Sequence, residues 1–96
     1  MKIFLQKFGE TLISRQSGSE AFKAFQSTLR GLPASESLEV DFTGVLTLSP
    51  SWADEFFTPL ADQIGGRLIL LPSNNLSVKA TFELLEEISK KNFNKN

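Results

Sequence analysis

A short serine-rich segment, Ser49-Pro50-Ser51, stands immediately before a pattern typical of a helix. A serine hydroxyl at a helix N-terminus either caps the first backbone N–H groups or, when free, can accept a phosphoryl group. The helix dipole and unpaired N–H groups would stabilise the added charge. Only one of the two serines can be the cap, so the other is the freer hydroxyl. Ser51 and Ser49 are therefore candidate phosphoacceptors.

Two adjacent carboxylates, Asp54 and Glu55, follow on the same predicted helix. Adjacent helical positions diverge by about 100°, so we expect that the pair does not readily share a ligand. The chain has no His to complete a metal site, so no metal site is expected. Their position favours stabilisation of the helix dipole, or an ion pair between one of them and Arg15.

Arg15 follows a predicted strand, just before Gly18. It is a candidate to bind an anion together with a helix start at Gly18. It is equally a candidate for an internal ion pair that holds its loop near Asp41 or Asp54. The sequence leaves both interpretations open.

Trp52 also has two interpretations. Tryptophan is enriched at the energetic centres of protein interfaces, so Trp52 is a candidate partner-binding residue together with Thr47. The alternative places Trp52 in the core, packed against Phe56. The surface we expect to contact a partner runs from Thr47 to Glu55.

The composition excludes several function classes. The chain has 96 residues, 41% of them hydrophobic, with a net charge of -1, which fits one small domain. It contains no Tyr, His or Cys, which rules out disulfides, a thiol nucleophile, a Cys/His zinc site and a His general base. We therefore expect no catalytic residue and no cofactor.

Charge is unevenly distributed. Residues 36–66 carry six acidic side chains and no Lys or Arg. Nucleic-acid binding is disfavoured, since it needs a basic stripe. The acidic stretch either steers a basic protein partner or is a solvated surface.

No apolar run approaches the roughly 20 residues that span a bilayer. No membrane association and no signal peptide are expected, and the expected location is cytoplasmic.

The first third of the chain predicts two strands and a helix. Residues 2–5 and 10–14 resemble the strands of a hairpin. Ser17 and Glu20 have the spacing of a capping box that starts a helix. The helix is expected to end near Gly31. Helical spacing predicts that one face of it is buried, and this face comprises Phe22, Phe25, Leu29 and Leu32.

The remainder predicts alternating strands and helices. Residues 37–42 alternate as a strand with one buried face does, and residues 45–48 form a further short extended piece. A helix from about Ser51 to Ile64 contains Pro59, where we expect a kink or a restart. Residues 67–71 read as a strand buried on both faces, and residues 77–91 as a third helix. The order β-β-α-β-α-β-α predicts one α/β domain over residues 1–92 with a mixed sheet, and a frayed tail over residues 93–96.

The stretch Leu38-Glu39-Val40-Asp41-Phe42-Thr43-Gly44-Val45, followed by Leu48-Ser49-Pro50-Ser51-Trp52-Ala53-Asp54-Glu55-Phe56, resembles a family of small STAS-like domains of uncharacterised function. STAS names the fold shared by sulfate transporters and anti-sigma factor antagonists. The resemblance implies a single STAS-like domain. Asp41 and Gly44 are the structural residues of its strand and turn.

In anti-sigma antagonists an Asp-Ser-Ser-Gly loop precedes a helix, and its second Ser accepts phosphate from a kinase related to histidine-kinase ATPases. The resemblance places Ser51 at that phosphoacceptor position. Ser49 replaces the loop Asp, Pro50 the first Ser and Trp52 the Gly.

The function implied is a non-catalytic regulatory module that binds a protein partner, with a phosphorylation switch operated by a histidine-kinase-type ATPase. The alternative is a small enzyme subunit that binds an anion or nucleotide with Arg15 and the helix start at Ser49–Ser51. A third possibility is a homodimer formed through the sheet edge of residues 2–5.

Overall fold

A computed structural model of the chain describes residues 1–89 and the backbone of Asn94–Lys95. The predicted α/β class, with three helices among short strands, is confirmed. The elements in chain order are β1 Lys2–Phe4, β2 Thr11–Leu12, α1 Arg15–Arg30, β3 Leu38–Asp41, β4 Thr47–Leu48, α2 Pro50–Ile64, β5 Leu68–Leu70, α3 Leu76–Ser89 and β6 Asn94–Lys95.

The predicted domain boundary at residue 92 and most of the predicted tail lie outside the described residues. Of the tail, the backbone of Asn94–Lys95 pairs with β5. Among the helices described, none combines the length and apolarity that a membrane crossing requires.

The strands form two parallel sheets. The larger has the order β1-β3-β5-β6, and the smaller pairs β2 with β4. The predicted hairpin of β1 and β2 is therefore wrong. A 3-10 turn at Leu5–Phe8 connects β1 in the larger sheet to β2 in the smaller one. Leu5 is fully buried and Phe8 packs on the core, which holds this turn against the domain.

Strand β3 has the predicted single buried face. Leu38 and Val40 are fully buried, whereas Glu39 lies on the opposite, partly exposed face. Strand β5 differs from its prediction, since Leu68 and Leu70 are buried but Ile69 is only half-buried. One face of the sheet therefore carries the core, and the other is partly open.

Aromatic side chains of α2 form the centre of the core. Trp52, Phe56 and Phe57 are fully buried, and the rings of Trp52 and Phe56 stack with centroids 5.0 Å apart. The rings of Phe8 and Phe25 pack at a tilt against Phe56 of this group. The indole N–H of Trp52 has no acceptor within the described part of the chain, at a cost of ~1–3 kcal/mol that burial of the ring outweighs.

Helix α1 begins earlier than predicted. Its N-cap is Ser14, whose hydroxyl accepts a hydrogen bond from the Ser17 N–H at 3.1 Å. The capping box of Ser17 and Glu20 is therefore wrong, because Ser17 is already inside the helix. The predicted apolar face is confirmed, with Phe25, Leu29 and Leu32 buried and Phe22 packed partly buried against the core.

Helix α2 continues through Pro59, so the predicted restart is wrong. Proline lacks the N–H that would bond to the Glu55 carbonyl. The helix nevertheless persists because buried side chains hold it on both sides of the proline, with Phe56 and Leu60 fully buried.

Candidate functional site

Ser49 is the N-cap of α2 and joins it to the neighbouring loop. Its hydroxyl accepts a hydrogen bond from the Trp52 N–H at 3.2 Å and donates one to the Ile13 carbonyl at 2.7 Å. Pro50 is the first helical residue, where its missing N–H costs nothing. Both hydrogen-bonding functions of the Ser49 hydroxyl are thus in use.

Ser51 is left free by this arrangement. It lies in the first turn of α2 and is half-buried, and its hydroxyl makes no hydrogen bond to any residue that the structure describes. Of the two candidate phosphoacceptors, the Ser49 hydroxyl is used in structural hydrogen bonds and the Ser51 hydroxyl is not.

Arg15 and the two acidic residues of α2 form one cluster. The Arg15 Nη1 atom lies 2.9 Å from Asp54 Oδ2 and 3.1 Å from Glu55 Oε1. The expectation that these adjacent carboxylates do not share a ligand is wrong, because the guanidinium reaches between them. The helix starts at Pro50, so both carboxylates lie in its second turn, where the dipole contributes little.

The ion pairs shift the pKa values of Asp54 and Arg15. The Arg15 hydrogen bond, with a smaller contribution from the Thr58 hydroxyl at 2.8 Å, holds the pKa of Asp54 below its usual value. Asp54 and Glu55 in turn raise the pKa of Arg15. The cluster therefore joins one basic side chain to two acidic ones.

This geometry argues against an anion site built on Arg15 and Gly18. The guanidinium of Arg15 is already bound by two carboxylates. Gly18, the other predicted anion-binding position, is buried in helix α1. A free anion would therefore find no uncompensated guanidinium at Arg15, and no observation favours the enzyme-subunit alternative.

Asp41 forms part of a turn and does not contact Arg15. Its carboxylate accepts hydrogen bonds from the Thr43 N–H at 2.8 Å and the Thr43 hydroxyl at 2.6 Å, and it pairs with Lys2 at 3.3 Å. The Thr43 bonds are the main cause that lowers the pKa of Asp41. Gly44 completes the turn at a φ of 86°, a conformation that disfavours other residues.

Helices α1 and α2 meet at Gly18 and Trp52. A Cβ on Gly18 would clash with the Trp52 carbonyl oxygen and lie 3.0 Å from its Cα. The missing side chain thus permits the close contact that brings Arg15 to α2. Trp52 is fully buried here, so its interpretation as a partner-binding residue is wrong and its core interpretation is confirmed.

Thr47 is exposed, as the predicted surface requires, and two exposed apolar residues that we did not predict lie next to the small sheet, Leu46 just before β4 and Ile13 just after β2. Ile13 is 54% exposed and Leu46 is 64% exposed. Ile13 follows the buried Leu12, and Leu46 follows the buried Val45. A pair of adjacent apolar residues at the end of a short strand was the signal that the sequence offered.

The start of α3 holds β4 from the other side. The Asn75 side-chain amide donates to the carbonyls of Val45 and Leu46, both at 2.9 Å. The Ser77 hydroxyl accepts from the Leu48 N–H at 3.2 Å, and the buried Thr81 hydroxyl donates to the Leu48 carbonyl at 2.7 Å. The outer edge of β4 is thereby closed, which fixes the strand that leads into the candidate site.

Comparisons with known proteins give one finding. The family model described as a STAS-like domain of unknown function matches residues 23–79, which is more than half of the chain and includes Ser49, Ser51 and the two carboxylates of α2. No match was found among curated proteins or among solved structures. The chain therefore belongs to the family of STAS-like domains of unknown function.

Proposed function

We propose that this protein is a non-catalytic regulatory module that binds a protein partner through one surface, here called the docking surface. Its polar part is Thr47 with the Arg15 cluster, and its apolar part is Ile13 and Leu46. Ser51 lies at the start of the helix that carries the two carboxylates. Membership of a STAS-like family supports a regulatory role.

The free hydroxyl of Ser51 is the observation that carries the proposal. It belongs to the first turn of a helix whose cap is supplied by another serine. A phosphate on Ser51 would place negative charge beside the helix N-terminus, where it is stabilised. The same charge would lie on the helix that already carries Asp54 and Glu55, and it would alter the recognition of a partner.

The composition of the surface suits a protein partner. Exposed Ile13 and Leu46 supply apolar contact area. The two carboxylates of Asp54 and Glu55 are paired with a single guanidinium, that of Arg15, so one negative charge is not neutralised. A basic partner group would therefore find an uncompensated negative charge there. The resemblance of this segment to anti-sigma antagonists supports a histidine-kinase-type ATPase as that partner and as phosphoryl donor.

Binding to such an ATPase, measured by titration, tests the proposal. Glu55→Lys and Leu46→Asp should each weaken binding at least about tenfold, as expected for charged and apolar residues within an interface. Glu87→Lys makes the same charge change at an exposed position of α3 and should leave binding unchanged. Equal affinity for all three variants, each folded by circular dichroism, contradicts the docking surface.

A further inference from the structure

A cleft of about 370 Å³ lies at the carboxyl-terminal ends of β3 and β5, beside the first half of α3. No residue of the docking surface lines it. Its floor is apolar, and each floor side chain is only 3–4% exposed: Phe42, Leu70, Val78 and Phe82. Ligands of α/β domains commonly bind outside the carboxyl ends of parallel strands, and this volume lies at the lower end of ligand pockets.

Two opposite charges line the same cleft. Lys79 and Glu83 lie one helical turn apart on α3 and are both exposed. Neither forms an ion pair within the described residues. A Lys that precedes a Glu by four residues is the less favourable order for a helical ion pair. Both charged groups therefore remain available to a ligand.

The floor favours an aromatic ligand body. The rings of Phe42 and Phe82 lie 5.7 Å apart at an angle of 66°, the edge-to-face arrangement that aromatic groups prefer. A ligand ring placed against them would extend the aromatic cluster that these two rings already form with Phe57.

We propose that the cleft binds a small zwitterion with an aromatic body, of the class of aromatic α-amino acids. The ring packs on Phe42 and Phe82, the carboxylate pairs with Lys79, and the ammonium pairs with Glu83. A ligand with a carboxylate alone would bring its charge beside Glu83, and one with an amine alone would bring its charge beside Lys79. Only the zwitterion satisfies both.

Titration of the full chain with L-phenylalanine, followed by the backbone amide resonances of residues 70–83, tests this site. We expect half-saturation roughly in the millimolar range, given the small ligand size. L-Alanine lacks the ring, 3-phenylpropanoate lacks the ammonium and 2-phenylethylamine lacks the carboxylate. Each should bind at least about fivefold more weakly, as loss of one contact implies.

Variants then assign the contacts. Lys79→Gln and Glu83→Gln should each weaken L-phenylalanine binding at least about fivefold, while Glu87→Gln, an exposed control on the same helix, should not. The proposal is overturned if L-phenylalanine leaves these resonances unchanged. It is also overturned if 3-phenylpropanoate or 2-phenylethylamine binds as tightly as L-phenylalanine, or if both cleft variants bind L-phenylalanine as tightly as the parent protein does.

Discussion

The hydroxyl of Ser49 donates a hydrogen bond to the carbonyl of Ile13 across 36 positions of sequence, at 2.7 Å. The same oxygen caps α2 through the Trp52 N–H. This one side chain therefore joins the start of α2 to the loop that leads into α1, and it leaves Ser51 as the uncommitted hydroxyl of the segment.

The two serines should differ sharply in their contribution to stability. Ser49→Ala removes a cap and a second hydrogen bond, so we expect the free energy of unfolding to fall by about 1–2 kcal/mol. Ser51→Ala removes no side-chain hydrogen bond and should change it by less than about 0.5 kcal/mol. Urea unfolding monitored by Trp52 fluorescence measures both, and an equal or larger loss for Ser51→Ala contradicts the assignment.

The contact of Gly18 with Trp52 predicts intolerance to one added methyl group. Gly18→Ala places a Cβ against main-chain atoms of Trp52 that cannot rotate away, and we expect a loss of about 1–3 kcal/mol in the free energy of unfolding.

Gly31→Ala is the matched control. The backbone φ of Gly31 is -85°, and an added Cβ would lie 3.5 Å from the Thr28 carbonyl oxygen, an ordinary contact. Its unfolding free energy should stay within about 0.5 kcal/mol of the parent or rise. Similar losses for both variants would show that α1 and α2 do not meet through Gly18.

The ion pair of Arg15 with Asp54 predicts a dependence on pH. The folded pKa of Asp54 lies below its usual value of 3.8, so its stabilising effect is complete above that pH and is lost as the pH falls through the lowered pKa. Arg15→Gln should raise the pKa of Asp54 toward the usual value. The stability difference between the variant and the parent should then shrink as the pH drops below 3.8.

Carboxyl resonances of Asp54 followed by NMR during an acid titration measure this shift directly. Thr58→Val removes a weaker contribution and should raise the pKa of Asp54 by less than Arg15→Gln does. An Asp54 pKa that stays low in Arg15→Gln would mean that the ion pair does not form in solution.

Local sequence patterns predicted the helices and strands better than they predicted which strands pair. The alternation of residues 37–42 and the spacing of Phe25, Leu29 and Leu32 reflect burial in the core, so the sequence predicted them. The Ser-Pro start of α2 reflects helix capping, which is also a local property of the sequence. The pairing of β1 with β3 could not be predicted, because the sequence of a short strand does not specify a partner strand 37 positions away.

The candidate site was predictable to a similar degree. Serine, proline and acidic residues marked the segment from Thr47 to Glu55. Which serine caps α2 depends on the Ile13 carbonyl, and the convergence of Asp54 and Glu55 depends on Arg15; both are tertiary contacts. The burial of Trp52 likewise follows from the close approach of α1 at Gly18.

We propose that Ser51, and not Ser49, accepts a regulatory phosphate. The direct measurement is residue-resolved mass spectrometry of the protein after incubation with a histidine-kinase-type ATPase and Mg-ATP, with Ser51→Ala and Ser49→Ala treated in parallel. We expect one phosphate, on Ser51, which Ser51→Ala abolishes and Ser49→Ala retains. No phosphate on the parent protein, or phosphate on any residue other than Ser51, contradicts it.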